Sequence, residues 1–492
     1  MLPCIRSECV IQFRSAKVPT SAHAVKFSDI KIIGALGDSL TAANGAGAPK
    51  GDPLAVILQY RGLAFQCGGD SSLDEHVTIA NVLKKFNPNI FGYSTGIGSS
   101  NVWEVSKLNQ AVPGAEAIDI ITQARALVHL VQSHKDILVI LAGLVMLPCI
   151  KSESAKVPTS AHAVKFSDIK IIGALGDSLT AANGAGAPKG DPLAVILQYR
   201  GLAFQCGGDS SLDEHVTIAN VLKKFNPNIF GYSTGIGSSN VWEVSKLNQA
   251  VPGAEAIDII TQARALVHLV QSHKDIDNAN DWKLINIFIG ANDMCAYCSQ
   301  GEAGPHSKQA YKNNIIQAVQ ILKDNLPRTI VSLTGMFDME MLRQIDHDKY
   351  FCDGLHTFEC GCEKNKTFTN ADVKRACQYY MEAQKEIEDS GIFDTSDDFT
   401  YVVQPFFNGI VVPPLNPDGS PNLNWFAPDC FHFSKLGHAN VAKHLWNNIV
   451  QPVGSKDTQV NLSDPSIPLR CPDVSCPFFR TTKNSADCSK YL

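Results

Sequence analysis

The sequence predicts an α/β protein whose parallel sheet is covered by helices on both faces. Three observations carry that expectation. Short apolar, β-rich runs recur at Ile169–Leu175, Lys283–Ile289, Thr329–Leu333 and Thr400–Val403. Segments with helical spacing lie between them, which favours parallel strands joined by crossover helices. Polar, glycine-containing motifs follow the runs, and open α/β sheets build their sites beyond the carboxyl ends of strands.

Taken in order, Ile169–Leu175 (IKIIGAL) reads as a buried strand running into Gly176-Asp177-Ser178-Leu179. After Pro252-Gly253, the segment Ala254–Ser272 places Ile257, Ile260, Ala263, Val267 and Val270 on one helical face. Lys283–Ile289 (KLINIFI) is the next strand and ends in Gly290-Ala291-Asn292-Asp293. A helical pattern through Ile315–Leu322 leads to the strand Thr329–Leu333, and Thr400–Val403 supplies another. Ser434 is placed to cap a helix carrying Leu436, Val441, Leu445 and Ile449.

The 492 residues are not three independent domains. Ser15–Ile137 recurs without a substitution as Ser154–Ile276, an offset of 139 over 123 residues. Three segments are therefore expected: 1–136, a truncated duplicate; 137–153, an apolar signal-peptide-like stretch; and 154–492, the complete domain, long enough to bury a substantial core. Composition (45% hydrophobic, 18% charged, net charge −6) excludes disorder, collagen and coiled coil as whole-chain readings. It implies no basic face, so nucleic acid is not an expected partner.

Eleven of the fifteen cysteines fall in the complete copy. Cys295-Ala-Tyr-Cys298 has the spacing of half a zinc site or a redox pair, but no second CxxC with finger-like spacing follows. Disulfides in an oxidising compartment account for the whole set, and the sequons at Asn365 and Asn461 are compatible with that. Ile137–Ile150 is an uncharged apolar run of fourteen residues, short for a bilayer span and of the length of a signal-peptide core. The polar end Asn484–Leu492 leads to no expectation of a C-terminal anchor.

Four signals lie in chain order in the complete copy: Gly176-Asp-Ser178-Leu, Gly253, Gly290-Ala-Asn292-Asp, and Asp429-Cys-Phe-His432. Ser178 stands at a strand-to-helix turn and needs a base, for which His432 is the candidate. Asp429 can fix the imidazole tautomer. Gly253 lets backbone approach a reacting carbonyl, and Asn292 offers an uncharged amide donor. With the Ser178 N–H, these two would form an oxyanion hole, each donor being worth about 3–4 kcal/mol in the transition state.

This set resembles the four blocks of the SGNH (GDSL) hydrolase superfamily. Longer segments are similar to the membrane-associated phospholipase B family: IGALGDSLTAA at Ile172–Ala182, Gln198-Tyr-Arg-Gly201, Gly207-Gly208-Asp209, FNPNIFGYSTGIG at Phe225–Gly237, Asn248–Ala254, FIGANDMCAYC at Phe288–Cys298 and DCFHFSKLG at Asp429–Gly437. The resemblance implies a flavodoxin-like, three-layer α/β/α sandwich. It also implies calcium-independent hydrolysis of fatty acyl esters of phospholipids and lysophospholipids at a membrane or micelle surface, with no cofactor or metal. The expected setting is extracellular or membrane-surface, reached through the secretory pathway.

The first copy has Ser39 and Gly114 but no following GAND or DxxH block, so both residues are expected to be silent. The same blocks would also serve an esterase acting on a glycan acetyl group or a short soluble ester, or a lipid-binding protein that keeps the fold without catalysis.

Overall fold

The computed structural model describes residues 22–133, 154, 156–346, 352, 356 and 360–492. The signal-peptide-like segment 137–153 lies outside them. The chain divides into two compact units, Met1–Leu144 and Val145–Leu492.

In the second unit four parallel strands pair in chain order: β1 (Ile169–Gly176), β2 (Trp282–Phe288), β3 (Thr329–Thr334) and β4 (Phe399–Gln404). All of β2, β3 and β4 and nearly all of β1 is buried, which is why these strands read as unbroken apolar runs rather than alternations. A less regular line continues the sheet past β1. Ile171 bridges Phe230 and Ala174 bridges Asn248, both parallel, with Ile172 N–H donating to Phe230 O at 2.8 Å. The spatial order therefore reverses at β1, the flavodoxin-like arrangement expected from the sequence, and it creates a switch point between the carboxyl ends of β1 and β2.

The helices follow from that order. They are α1 (Ile218–Phe225), α2 (Ile259–Ser272), α3 (Ala291–Tyr297), α4 (Lys308–Asn325), α5 (Asn370–Ser390) and α6 (Lys435–Ile449). Right-handed crossovers put α2, α4 and α5 on one face and α1 on the other. Accordingly α4 packs on α2 and α5, while α6 packs on α1. The fold is α/β, as expected. Ser434 caps α6 by accepting from Gly437 N–H at 3.2 Å.

One helix boundary needs correction. Helix α2 begins at Ile259, not Ala254, so Ile257 precedes it and is 51% exposed. The reason is a set of contacts from α3 that hold residues 254–256 as a loop. Helix α6 carries Leu436, Val441, Leu445 and Ile449 as expected; the last three are buried, and Leu436 is exposed.

Disulfides staple the irregular regions. Cys295–Cys360 and Cys298–Cys362 join α3 to the short helix Gly361–Lys364 as a double clasp, so the CxxC is neither a zinc half-site nor an internal pair. Cys352–Cys430 and Cys476–Cys488 are also formed, and Cys471 is disulfide-bonded. Cys206 and Cys377 are buried thiols.

The first unit shows what the same sequence does without its continuation. Residues corresponding to β1 make only isolated bridges, Ile32 to Phe91 and Ala35 to Asn109. Local structure survives: the helix Ile79–Phe86 matches α1, and buried Arg61 repeats the carbonyl contacts of Arg200. Burial survives only in part: Arg61, Cys67 and Leu108 stay buried. Phe166 is 2% exposed beneath Trp446 and Phe479, whereas its duplicate Phe27 is 63% exposed.

Candidate active site

The site is assembled at the switch point. Gly176 ends β1, where a Cβ would come within 2.4 Å of Phe288 O, so only glycine lets β1 and β2 meet there. Asp177 then caps the short helix Ser178–Ala181, accepting from Leu179 N–H at 2.9 Å. This leaves Ser178 on the first turn, largely buried, with its hydroxyl turned toward the loop before α6.

That loop supplies the remaining members of a relay. Ser178 Oγ lies 2.7 Å from His432 Nε2, and His432 Nδ1 lies 2.5 Å from Asp429 Oδ2. With Nδ1–H donating to Asp429, Nε2 is left to accept from the serine hydroxyl. The other oxygen of Asp429 accepts from the Phe431 and His432 N–H groups, each at 3.0 Å. Burial pushes the Asp429 carboxyl up, but the facing imidazole and these hydrogen bonds outweigh it and hold the group below the usual carboxylate range. The turn is also covalently held: Cys430, at a left-handed φ of 62°, is bonded to Cys352.

Gly253 and Asn292 arrive from two further elements. Val251 N–H donates to Gly176 O at 3.1 Å, which registers the Gly253 loop on the end of β1. Gly253 has φ of 78°, and an added Cβ would meet nothing within 4 Å, so the glycine serves a backbone conformation and an open approach. Asn292 lies in the first turn of α3, directly after β2, and its amide donates to Ala254 O at 2.8 Å. One hydrogen of that amide is thereby committed, and the second remains for another acceptor. In the first unit Ser39 and Gly114 occupy the same local positions, with no counterpart in its sequence for Asn292, Asp429 or His432.

Several residues around the site were given no role from the sequence, although two of them, Arg200 and Asp177, stand inside its quoted motifs. Gln262 on α2 accepts from Gly176 N–H at 2.9 Å and donates to Gly176 O at 2.8 Å. Its only sequence signal is a polar residue within an apolar helical stripe. Buried Arg200 donates to Gly237 O, Asn248 O and Ala250 O, tying the strand line before Gly253 to the QYRG segment. Loss of solvent lowers its guanidinium to about 10, since its partners are carbonyls rather than a carboxylate. Asp177 is fully buried with Oδ2 unpartnered among the described residues, and burial raises its carboxyl to about 7. A cavity of about 760 Å³ is walled by Gly184, Ala185, Phe426, Pro428, Cys430 and Leu436; Pro428 and Cys430 flank Asp429 in sequence, but no relay residue lines it. Among the described residues no group of three or more His, Cys, Asp or Glu is placed to hold a metal.

A serine–imidazole–carboxylate relay at the end of a parallel sheet defines a hydrolase-type centre. The chain belongs to the GDSL-like lipase/acylhydrolase family, whose model matches residues 172–445. Among curated proteins it is 41% identical to the rat membrane-associated phospholipase B1 over 341 residues, covering 68% of this chain and 23% of that protein. The human membrane-associated phospholipase B1 is 28% identical over 689 residues, covering 96% of this chain and 47% of that protein. The chain thus spans about a quarter of the rat protein and under half of the human one. A solved acetyl xylan esterase from Geobacillus stearothermophilus aligns at 14% identity and TM-score 0.28, over 56% of this chain and 91% of that one.

Proposed function

We propose that the second unit is a serine esterase that hydrolyses fatty acyl esters of phospholipids and lysophospholipids through an acyl-enzyme. The single observation behind this reading is the unbroken relay from Ser178 Oγ to His432 to Asp429, at 2.7 and 2.5 Å. In it Ser178 attacks the ester carbonyl, and its proton passes to His432 Nε2. Asp429 holds the tautomer and stabilises the imidazolium. The oxyanion is received by the N–H groups of Ser178 and Gly253 and by the free hydrogen of the Asn292 amide. His432 returns the proton to the departing glycerol oxygen, and water repeats the sequence to release the fatty acid.

The lipid substrate is supported by the phospholipase relatives and by the surface. Val251 and Ile257, on either side of Gly253, are exposed, as are Leu193 and Ile196 on the turn Pro192–Ile196. These side chains suit a membrane or micelle surface. The cavity walled in part by Pro428 and Cys430, on either side of Asp429, is within the size range that takes a small ligand, and in this reading it takes the acyl chain. Among the described residues no helix is long and apolar enough to cross a membrane. The first unit, in the same reading, is an incomplete duplicate with Ser39 and Gly114 silent. The sequence supports this, since the first unit has no counterpart of Asn292, Asp429 or His432.

The test is hydrolysis of long-chain phosphatidylcholine vesicles and of a short soluble ester by the full chain, S178A and S39A. The expected result is long-chain hydrolysis that S178A abolishes and S39A leaves intact. Activity on the short ester alone overturns the lipid assignment, and loss of activity in S39A overturns the domain assignment.

A further inference from the structure

The two donors assigned to the oxyanion site besides Ser178 lie on different elements, Gly253 on a loop and Asn292 on α3. A donor contributes only within about 2.7–3.1 Å of where the oxyanion forms, so their mutual register must be fixed before substrate arrives. No side-chain packing does this for Gly253, which has none.

Asp293 provides the register. The residue is 2% exposed, and Oδ1 and Oδ2 accept from the Ala256 N–H at 3.1 and 2.9 Å. The preceding residue, Asn292, holds Ala254 O at 2.8 Å. Consecutive residues of one helix therefore grip the loop at 254 and 256, immediately after Gly253. Ala254 N–H donates to Val251 O at 3.1 Å, and Val251 is itself anchored on Gly176. Gly253 is held from both sides, by β1 and by α3.

A carboxylate suits this role better than a carbonyl, since a charged acceptor makes a stronger hydrogen bond to a backbone N–H. Its burial is compensated by His306, whose Nδ1 lies 3.9 Å from Asp293 Oδ1 and 3.8 Å from Glu255 Oε2. The His306 carbonyl accepts from Tyr380 OH at 2.7 Å, which fixes that segment against α5.

We propose that Asp293 is a positioning residue for the oxyanion site, holding the Gly253 N–H in register with the Asn292 amide without itself touching substrate. The inference rests on the catalytic reading given above. It accounts for the Asp of the GAND block, which the relay leaves without a function.

The test is steady-state kinetics of the full chain, D293N, D293A and S178A on phosphatidylcholine vesicles and on a short soluble ester, with a melting temperature for each. D293A is expected to lower kcat about 10²-fold on both substrates with KM changed less than about threefold, the signature of a lost transition-state donor. D293N keeps an acceptor for Ala256 N–H and is expected to recover about tenfold of that loss. If D293A does not fold, D293N decides the matter, with an expected fall in kcat of about tenfold at wild-type KM. A raised KM at unchanged kcat, or D293N no better than a folded D293A, overturns the inference. Wild-type kcat in either D293 variant, with S178A dead, overturns it while leaving the catalytic reading intact. Activity surviving in S178A overturns both.

Discussion

Gln262 holds Gly176 at both of its backbone polar groups, accepting from the N–H at 2.9 Å and donating to the carbonyl at 2.8 Å. This fixes the last residue of β1 two positions before Ser178, and the same pair recurs as Gln123 and Gly37 in the first unit. Replacing Gln262 by Ala takes this acceptor from the buried Gly176 N–H, at about 1–3 kcal/mol, while the Gly176 carbonyl keeps only Val251 N–H at 3.1 Å. The expected outcome of Q262A is a lower melting temperature together with a kcat reduced roughly 10²-fold as Ser178 is displaced. Thermal melts and kcat measured on the same preparation check both parts.

Removing a relay member should be far more damaging than removing its support. S178A and H432A are each expected to lower kcat by roughly 10⁴–10⁶-fold, and the double variant to lose little more, because the members act as a unit. Single-site and double-site rate constants on one substrate test this directly.

Asp429 links activity to acid stability. Its folded-state pKa is depressed, so it contributes stability above the ordinary Asp range, and that contribution is lost as pH falls through the depressed value. D429N is expected to melt below wild type at neutral pH, with the gap closing on acidification. Its kcat should fall by about 10⁴ through loss of the correct tautomer. Melting curves across pH, beside kcat at neutral pH, are the measurement.

Asp177 has the opposite sign. Its carboxyl is raised to about 7, so the folded state binds a proton that the unfolded state releases near 4. Stability is full below about pH 4 and is lost as pH rises through about 7, by roughly 4 kcal/mol. D177N keeps an acceptor for Leu179 N–H while removing the titration. It should melt above wild type at pH 8 and equally at pH 4, and a melting temperature unchanged at both would refute the assignment.

The Cys352–Cys430 bond inserts a covalent tether between Asp429 and His432 in sequence. The C352S/C430S pair should stay folded around the same sheet yet lose roughly 10²-fold in kcat, since small displacements at a relay cost about that much. Comparison with C476S/C488S, far along the chain from the relay, separates a local effect from a general one.

Much of this was legible in the sequence. The four strands were readable because each is buried on both faces and so is apolar throughout, and the relay residues because each sits just beyond a strand or before a helix. What was not legible depends on contacts across the fold. Ile257 has helical spacing with Ile260 and Ala263, yet Asp293 holds Ala256 and keeps that stretch out of α2. Helix α5 went unread although Val373, Ala376, Cys377, Tyr380, Met381 and Ile387 form a buried stripe along it, because charged and polar residues interrupt that stripe in sequence; its ends are set by the Thr369–Asp372 capping pair and the left-handed Gly391. Cysteine spacing pointed to disulfides but could not assign Cys295 and Cys298 to separate partners.

The double clasp on α3 places four sulfurs at two neighbouring crossings, Cys295–Cys360 and Cys298–Cys362. A mutation that deletes one of these cysteines does more than remove a bond. It strands a thiol beside an intact disulfide, within reach of exchange that would re-thread the clasp and shift α3, the helix carrying Asn292 and Asp293. Genetic loss of a single cysteine here should therefore be more harmful than paired loss of two. The clasp is inherited by its partners jointly, so natural change at these four positions is expected to come in couples.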